Sequence, residues 1–307
     1  MTRVGVAGLG RMGRAAAVRL LAAGYPVAVY NRTPDRAGEL LTLGASWAAN
    51  PAKLAAETDV VLSMLTDDQA VADVYGGSHG LLAGPGASGT TFVEMSTVRT
   101  TTVLRLREPV ERAGGRLVDA PMSGPPGAVR AGQLLVLAGG EAEDVERIAP
   151  VLGSFSRRVI HLGPAGTGAT MKLVLQLPMA VLFASLGEAL SIGTQLGLSL
   201  DAMLDVVLDS QGAPPVLRDR AELIRSGAGV PADAGAGFDV AGVRKDLQAM
   251  VATAQDAGVP ATTACAALGL FAGATAGGYA DRDLAAIVDY AVRLARTVQP
   301  RPAAGLR

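Results

Sequence analysis

Gly8, Gly10 and Gly13 directly follow the apolar run of residues 4–7 and open an alanine-rich helical pattern over residues 12–23. No other feature of the chain constrains the fold as much. A strand that ends in such a turn and runs on into a helix is the opening of a βαβ unit, and each glycine has its own reason. The first permits the tight turn, the second lets a phosphate approach the backbone, and the third lets helix pack closely on strand. The helix start supplies unpaired N–H groups and the positive end of a dipole. The segment Gly8-Leu9-Gly10-Arg11-Met12-Gly13 is therefore assigned to the pyrophosphate of a dinucleotide.

The rest of the first half agrees with that beginning. Short β-branched runs at residues 27–30, 60–65, 91–95, 116–119, 134–138 and 159–162 alternate with helical patterns. This alternation predicts a parallel sheet wrapped by helices. From Thr170 onward the β-branched runs stop, and alanine- and leucine-rich helical patterns continue to Val298. The predicted class is α/β: a Rossmann-like dinucleotide-binding domain over residues 1–163, then an all-helical domain over 164–298. A flexible tail is expected over residues 299–307, which are rich in Pro, Ala and Gly. Pro178 lies inside the first long helical pattern, removes one helix N–H, and is expected to kink it.

Composition closes off several classes. The formal net charge of −1 gives no basic field for nucleic acid. The longest apolar stretch, residues 177–186, reads as too short to span a bilayer, and the glycines interrupt the N-terminal apolar run as no signal peptide would. His79 and His161 stand far apart with no ligand pattern around them, so no metal site is expected. Cys265 is the one cysteine. It rules out an internal disulfide, fits a cytoplasmic location, and reads as a small buried apolar residue.

At the end of the second strand a NAD-selective site carries an acidic residue for the ribose 2′-hydroxyl. Here the residues are Asn31-Arg32-Thr33. No carboxylate is present to repel a 2′-phosphate, while a guanidinium and a hydroxyl are present to bind one. NADP is expected over NAD, the alternative being that Arg32 is a solvated loop charge. Leu65, at the end of the predicted strand 60–65, is placed with the same cofactor set.

Lys172 stands behind Gly166-Thr167-Gly168, at the head of an apolar helical pattern, and Gln176 follows one turn later on the same face. Hydride transfer between a nicotinamide and an oxygen-bearing carbon needs a group that gives or takes the oxygen's proton. A lysine does this when burial and neighbours bring its pKa toward working pH. Gln176 is positioned to hold the substrate oxygen or to orient the amine. Spacing alone leaves open a surface lysine at a helix start.

The glycine turn, Asp119-Ala120-Pro121-Met122-Ser123-Gly124, Gly166-Thr167-Gly168 with Lys172, and Phe238 with Lys245-Asp246-Leu247 follow in order along nearly the whole chain. In this the sequence resembles the β-hydroxyacid dehydrogenase family, which includes 3-hydroxyisobutyrate dehydrogenase and glyoxylate/succinic semialdehyde reductase and is related to 6-phosphogluconate dehydrogenase. The resemblance implies that Lys172 is the general acid in reduction and base in oxidation. It further implies that Ser123 and Gly124 hold the substrate, that Gln176 stands where Asn is usual, and that Thr97 and Lys245 contact the cofactor near the nicotinamide. A homodimer through the helical domain, with a small β-hydroxy acid or its carbonyl counterpart as substrate, is implied as well.

Two departures stand out. The family loop reads Ser-Gly-Gly, whereas Ser123-Gly124 is followed by Pro125-Pro126. Proline has no N–H, so one potential carboxylate donor is missing. Pro178 follows close behind Gln176. Two other readings remain beside the dehydrogenase: an imine reductase, whose relatives share the Asn-Arg-Thr pattern, and a non-catalytic dinucleotide-binding scaffold. Retention of Lys172 and Ser123 argues against both.

Overall fold

The structure, a computed structural model, describes residues 1–227 and 238–297. The tail expected over residues 299–307 lies outside the described residues. The chain divides into two compact units, Met1–Leu175 and Gln176–Arg307.

The first unit begins with strand β1 (Val4–Ala7), helix α1 (Arg11–Ala22) and strand β2 (Val27–Tyr30). A short helix α2 (Gly38–Thr42) leads to β3 (Ser46–Trp47), then α3 (Pro51–Glu57), β4 (Val60–Ser63) and α4 (Asp68–Tyr75). Next come β5 (Thr91–Glu94), α5 (Thr100–Arg112) and β6 (Arg116–Asp119). Helix starts follow local chemistry. Asn50 caps α3, accepting from Lys53 N at 2.9 Å ahead of Pro51, and Asp67 caps α4, accepting from Ala70 N at 2.8 Å.

These six strands form one sheet in the order β3-β2-β1-β4-β5-β6, parallel throughout. Successive side chains along a strand point to opposite faces, and each face is covered by its own apolar cluster. Val60 and Leu62 join one cluster and Val61 the other; Val93 and Phe92 divide the same way. Strand order reverses at β1, and in open α/β sheets the crevice outside the carboxyl ends at such a point receives the ligand. Gly8, Asn31, Leu65, Thr97 and Ala120 all follow the carboxyl ends of their strands.

The remaining strands correct the expectation of one continuous sheet. Strand β7 (Met122–Ser123), helix α6 (Pro126–Arg130), β8 (Leu134–Ala138), α7 (Ala142–Gly153) and β9 (Ser156–His161) form a separate three-stranded sheet, with β7 antiparallel and β9 parallel to β8. Two-residue strands such as β3 and β7 are too short to carry an alternation signal. The second sheet is fastened to the first through Asp119 and Gly139, which exchange backbone hydrogen bonds of 2.9 and 2.8 Å.

Helix α8 (Thr167–Gln195) has 29 residues and runs past Pro178 without interruption. Its mean hydropathy reaches 1.8, long and apolar enough by length and composition to cross a membrane. This corrects the expectation from residues 177–186, because isolated polar residues at either end do not stop the helix. The second unit continues with α9 (Leu200–Asp209), α10 (Pro215–Arg218), α11 (Ala221–Arg225), α12 (Val240–Asp256), α13 (Thr262–Ala274) and α14 (Ala286–Thr297). Among its described residues no strand forms beyond an isolated bridge between Asp239 and Asp283.

Gly187 lets α8 approach α14, since a Cβ there would lie 2.9 Å from Ala291 Cβ. Phe183, Leu186 and Leu190 are buried on α8, while Leu177, Met179, Val181 and Leu182 are partly exposed. Cys265 is exposed, against expectation. On α13 the inner face is taken by Ala264, Ala267, Phe271 and Ala274, and the residue after Ala264 necessarily turns outward.

Candidate active site

The turn after β1 is held by contacts that only glycine allows. Gly8 has φ of 96°, and a side chain there would run into the Met64 carbonyl; one at Gly13 would collide with the Gly8 carbonyl. Above Gly10 the space is open. A group approaching Gly10 meets backbone at the start of α1, which is the cradle a pyrophosphate needs. Leu65 Cδ2 is 3.1 Å from where a Gly8 Cβ would stand, so Leu65 lies against this turn.

Asn31 braces the same turn from the end of β2. Its Oδ1 accepts from Leu9 N at 2.9 Å and its Nδ2 donates to Thr33 O at 2.9 Å. The side-chain amide is thus committed to holding the loop, and Arg32 and Thr33 stand exposed beside it. Leu9 itself is fully buried, Arg11 is exposed and Met12 is partly exposed.

At the ends of β4 and β5 a buried network sets the next two loops. Ser96 Oγ accepts from Leu65 N at 2.8 Å, and Glu94 Oε1 accepts from Ser96 N at 2.8 Å. Ser63 Oγ donates to Glu94 Oε2 at 2.7 Å and lies 2.9 Å from Tyr75 Oη, which then donates to Ser63. Burial raises the Glu94 carboxyl to about 7, against the pull of Ser96 and Ser63. Burial likewise holds the Tyr75 phenol well above its ordinary value. Thr97, partly exposed, follows directly on this network.

Glu94 is paired in register with Asp119 on β6. Asp119 is fully buried, and its two oxygens accept from Gly166 N at 2.7 Å and Ala169 N at 2.6 Å, at the start of α8. Burial raises this carboxyl to about 6, and the backbone donors oppose the rise. One helical turn on, the buried Lys172 donates from Nζ to Met122 O at 2.7 Å. Ser123, partly exposed, is the next residue, and Gly124 has φ of 135° with a Cβ position only 2.8 Å from Leu134 Cδ2. Pro125 and Pro126 occupy the cap and first position of α6, where a proline's missing N–H and fixed φ suit a helix start.

In the helical unit, Gln176 Nε2 donates to Asp246 Oδ2 at 2.9 Å. The Lys245 ammonium lies 2.8 Å from Asp246 Oδ1, and Asp246 is buried. Asp246 therefore links two predicted site residues, Gln176 and Lys245, that are far apart in sequence.

Comparison with known proteins extends this geometry. The NAD binding domain of 6-phosphogluconate dehydrogenase matches residues 3–163, and the NAD-binding domain of NADP-dependent 3-hydroxyisobutyrate dehydrogenase matches residues 166–291. The glyoxylate/succinic semialdehyde reductase 1 of Arabidopsis thaliana is 31% identical over 95% of this chain and 99% of its own. The 3-hydroxyisobutyrate dehydrogenase of Pseudomonas aeruginosa is 35% identical over 87% of this chain and 90% of its own. The chain belongs to the β-hydroxyacid dehydrogenase family. Among solved members, the 3-hydroxyisobutyrate dehydrogenase of Mycobacterium tuberculosis with L-serine has a TM-score of 0.79 at 27% identity, covering 94% of this chain and 98% of that one.

As a member of this family the protein is an oxidoreductase that binds a nicotinamide dinucleotide. The residues present fit that cofactor: the open cradle at Gly10, backed by Gly8 and Gly13, is the kind a pyrophosphate requires. Sequence reading assigned no role to Glu94, Ser96, Asp119 or Asp246. Asp119 and Asp246 stand inside quoted motifs and Glu94 ends a predicted strand, but their hydrogen-bond partners are remote in sequence.

Proposed function

We propose that this β-hydroxyacid dehydrogenase uses NADPH to reduce a small aldehyde or keto acid to the corresponding β-hydroxy acid, and runs the reverse oxidation with NADP. The observation that carries this reading is the placement of Lys172, a buried lysine held by the carbonyl of Met122 immediately before Ser123. The cofactor, when bound, supplies or accepts the hydride at the substrate carbon. In reduction the carbonyl π electrons move to oxygen, and Lys172 Nζ gives that oxygen its proton and is left as a neutral amine. Oxidation returns the proton to Nζ. Ser123 and Gly124 hold the substrate, and Gln176, braced by Asp246, steadies the substrate oxygen. Arg32 and Thr33 bind the 2′-phosphate, with Thr97 and Lys245 toward the nicotinamide; the NADP-dependent relative matched over residues 166–291 supports this cofactor choice.

We further propose a cytoplasmic homodimer formed through the helical half, with no membrane or nucleic-acid partner. Ile192, Leu196, Leu198 and Val206 support it, because they leave apolar surface exposed near the end of α8 and on α9. The packing of α8 on α14 at Gly187 supports reading α8 as a helix that packs on protein rather than lipid.

The test is NADPH oxidation against a panel of small aldehydes with and without a carboxylate, together with cyclic imines. Turnover of aldehydes, lost in Lys172→Ala, is the expected result. Pro125 removes a backbone donor, so the preference for carboxylate-bearing aldehydes is expected to be weak. Turnover of imines alone, unaffected by Lys172→Ala, would replace the dehydrogenase with an imine reductase. No turnover of any panel member would overturn the proposed substrate class.

A further inference from the structure

Asp119, at the end of β6, and Met122, three residues on, each present an acceptor to the same helix. The Asp119 carboxylate meets the amides of Gly166 and Ala169 at the start of α8, and the Met122 carbonyl meets Lys172 Nζ. The segment Asp119-Ala120-Pro121-Met122-Ser123 therefore grips α8 at two heights, by its first-turn backbone and by the lysine one turn later. From this we infer that Asp119 is a positioning residue for Lys172: by capping the start of α8 it fixes where the ammonium stands beside Ser123. The inference rests on the proposed role of Lys172 in proton transfer.

The surroundings of Asp119 are built to bring the carboxylate against the helix. A Cβ at Gly139 would stand 2.6 Å from Asp119 Oδ1 and 2.9 Å from Gly168 N. A Cβ at Gly168 would stand 2.9 Å from Asp119 Oδ2 and run into the Leu137 carbonyl. Two glycines thus clear the space in which strand end and helix start meet. Asp119 is also tied to Gly139 through both its backbone N–H and its carbonyl, so the strand end is held while the side chain does the capping. An ordinary cap accepts from one or two amides at the surface. This one is fully buried, and a carboxylate that accepts at both oxygens cannot be matched by an amide, which presents one oxygen and a pair of donors.

The test is Asp119→Asn in the full chain, made both in wild type and in Lys172→Ala, with turnover, NADPH binding and thermal melting measured on all four proteins. Asp119→Asn is expected to lower kcat about tenfold to hundredfold in the wild-type background, the size of effect that a displaced reacting group produces. NADPH affinity is expected to stay within about twofold, since the glycine turn is untouched. In the Lys172→Ala background the same substitution should change kcat little, because the group it positions is gone. Equal losses in both backgrounds would overturn the inference and leave Asp119 a structural residue. An unchanged kcat in Asp119→Asn would also overturn it. If Lys172→Ala alone leaves turnover intact, the reading of Lys172 fails instead. Should Asp119→Asn not fold, Asp119→Ser takes its place under the same criteria. In either case, Gly166 and Ala169 amides that exchange hydrogen in wild type as fast as exposed ones would contradict the cap.

Discussion

The two units handle buried charge differently. In the first, Glu94 and Asp119 are enclosed at neighbouring strand ends, and all four of their carboxyl oxygens accept hydrogen bonds from serine hydroxyl or backbone N–H groups. In the second, Asp246 pairs through Oδ1 with Lys245 at 2.8 Å and accepts from Gln176 at Oδ2, and Asp283 pairs through Oδ1 with Arg220 at 3.1 Å. Parallel strands deliver several backbone ends to one edge, where donors converge; helices consume their own donors and leave side chains to pair with side chains. The nucleotide-binding half can thus fix its polar groups closely from its own backbone. The helical half carries the more exposed apolar side chains, Leu196 at 79% and Val206 at 71%, on which the proposed dimer rests.

The sharpest separation of the two comes from cofactor binding. Arg32→Ala should weaken NADPH by about tenfold to hundredfold, the 1.5–3 kcal/mol of a charge-assisted contact to phosphate, and leave NADH nearly unchanged. Fluorescence titration of both cofactors is the check, and equal NADPH affinity in the two proteins would remove Arg32 from the account. The oligomer should be untouched.

A second prediction tests the buried wiring of the first unit. Burial raises Glu94 to about 7 and Asp119 to about 6, while both ionise near pH 4 in an unfolded chain. Between those values the folded state holds the extra protons, so stability present in mild acid is lost as pH rises toward neutrality. Glu94→Gln abolishes that group's share. The stability of wild type relative to Glu94→Gln should therefore fall by roughly 1–3 kcal/mol from about pH 5 to about pH 7.5. Urea unfolding at the two pH values measures it, and parallel behaviour of the two proteins would show that Glu94 is not raised.

The smallest effect on chemistry is expected in the helical half. Leu196→Glu places a charge in the exposed apolar patch and should convert a dimer to monomer in sedimentation while NADPH affinity stays within about twofold. A wild type that sediments only as the 31.0 kDa chain at micromolar concentration would defeat the dimer outright.

The same contrast explains what could be read from the sequence. Gly8, Gly10 and Gly13 were legible because a turn's demands are local, and so was the place of Asn31 and Arg32 just after the neighbouring strand; that Asn31 is spent on bracing the turn through Leu9 N was not. The role of Asp119 was not, because its amide partners lie 47 and 50 residues downstream. Gln176 and Asp246 are 70 residues apart and met only in the folded helical unit. Strand β7 has too few residues to show a period, so the second sheet was absorbed into the first. Cys265 was placed inside on composition, when the phase of Ala264, Ala267 and Phe271 already put it outside.

The central claim is that Lys172 moves the proton. Single-turnover NADPH oxidation with the best aldehyde of the panel, run on wild type and Lys172→Ala beside a separate cofactor titration, tests it most directly. A positioned acid contributes about a hundredfold to ten-thousandfold, so the variant should lose that much rate while binding NADPH as before. A variant that binds cofactor normally and reduces the aldehyde at the wild-type rate would contradict the account.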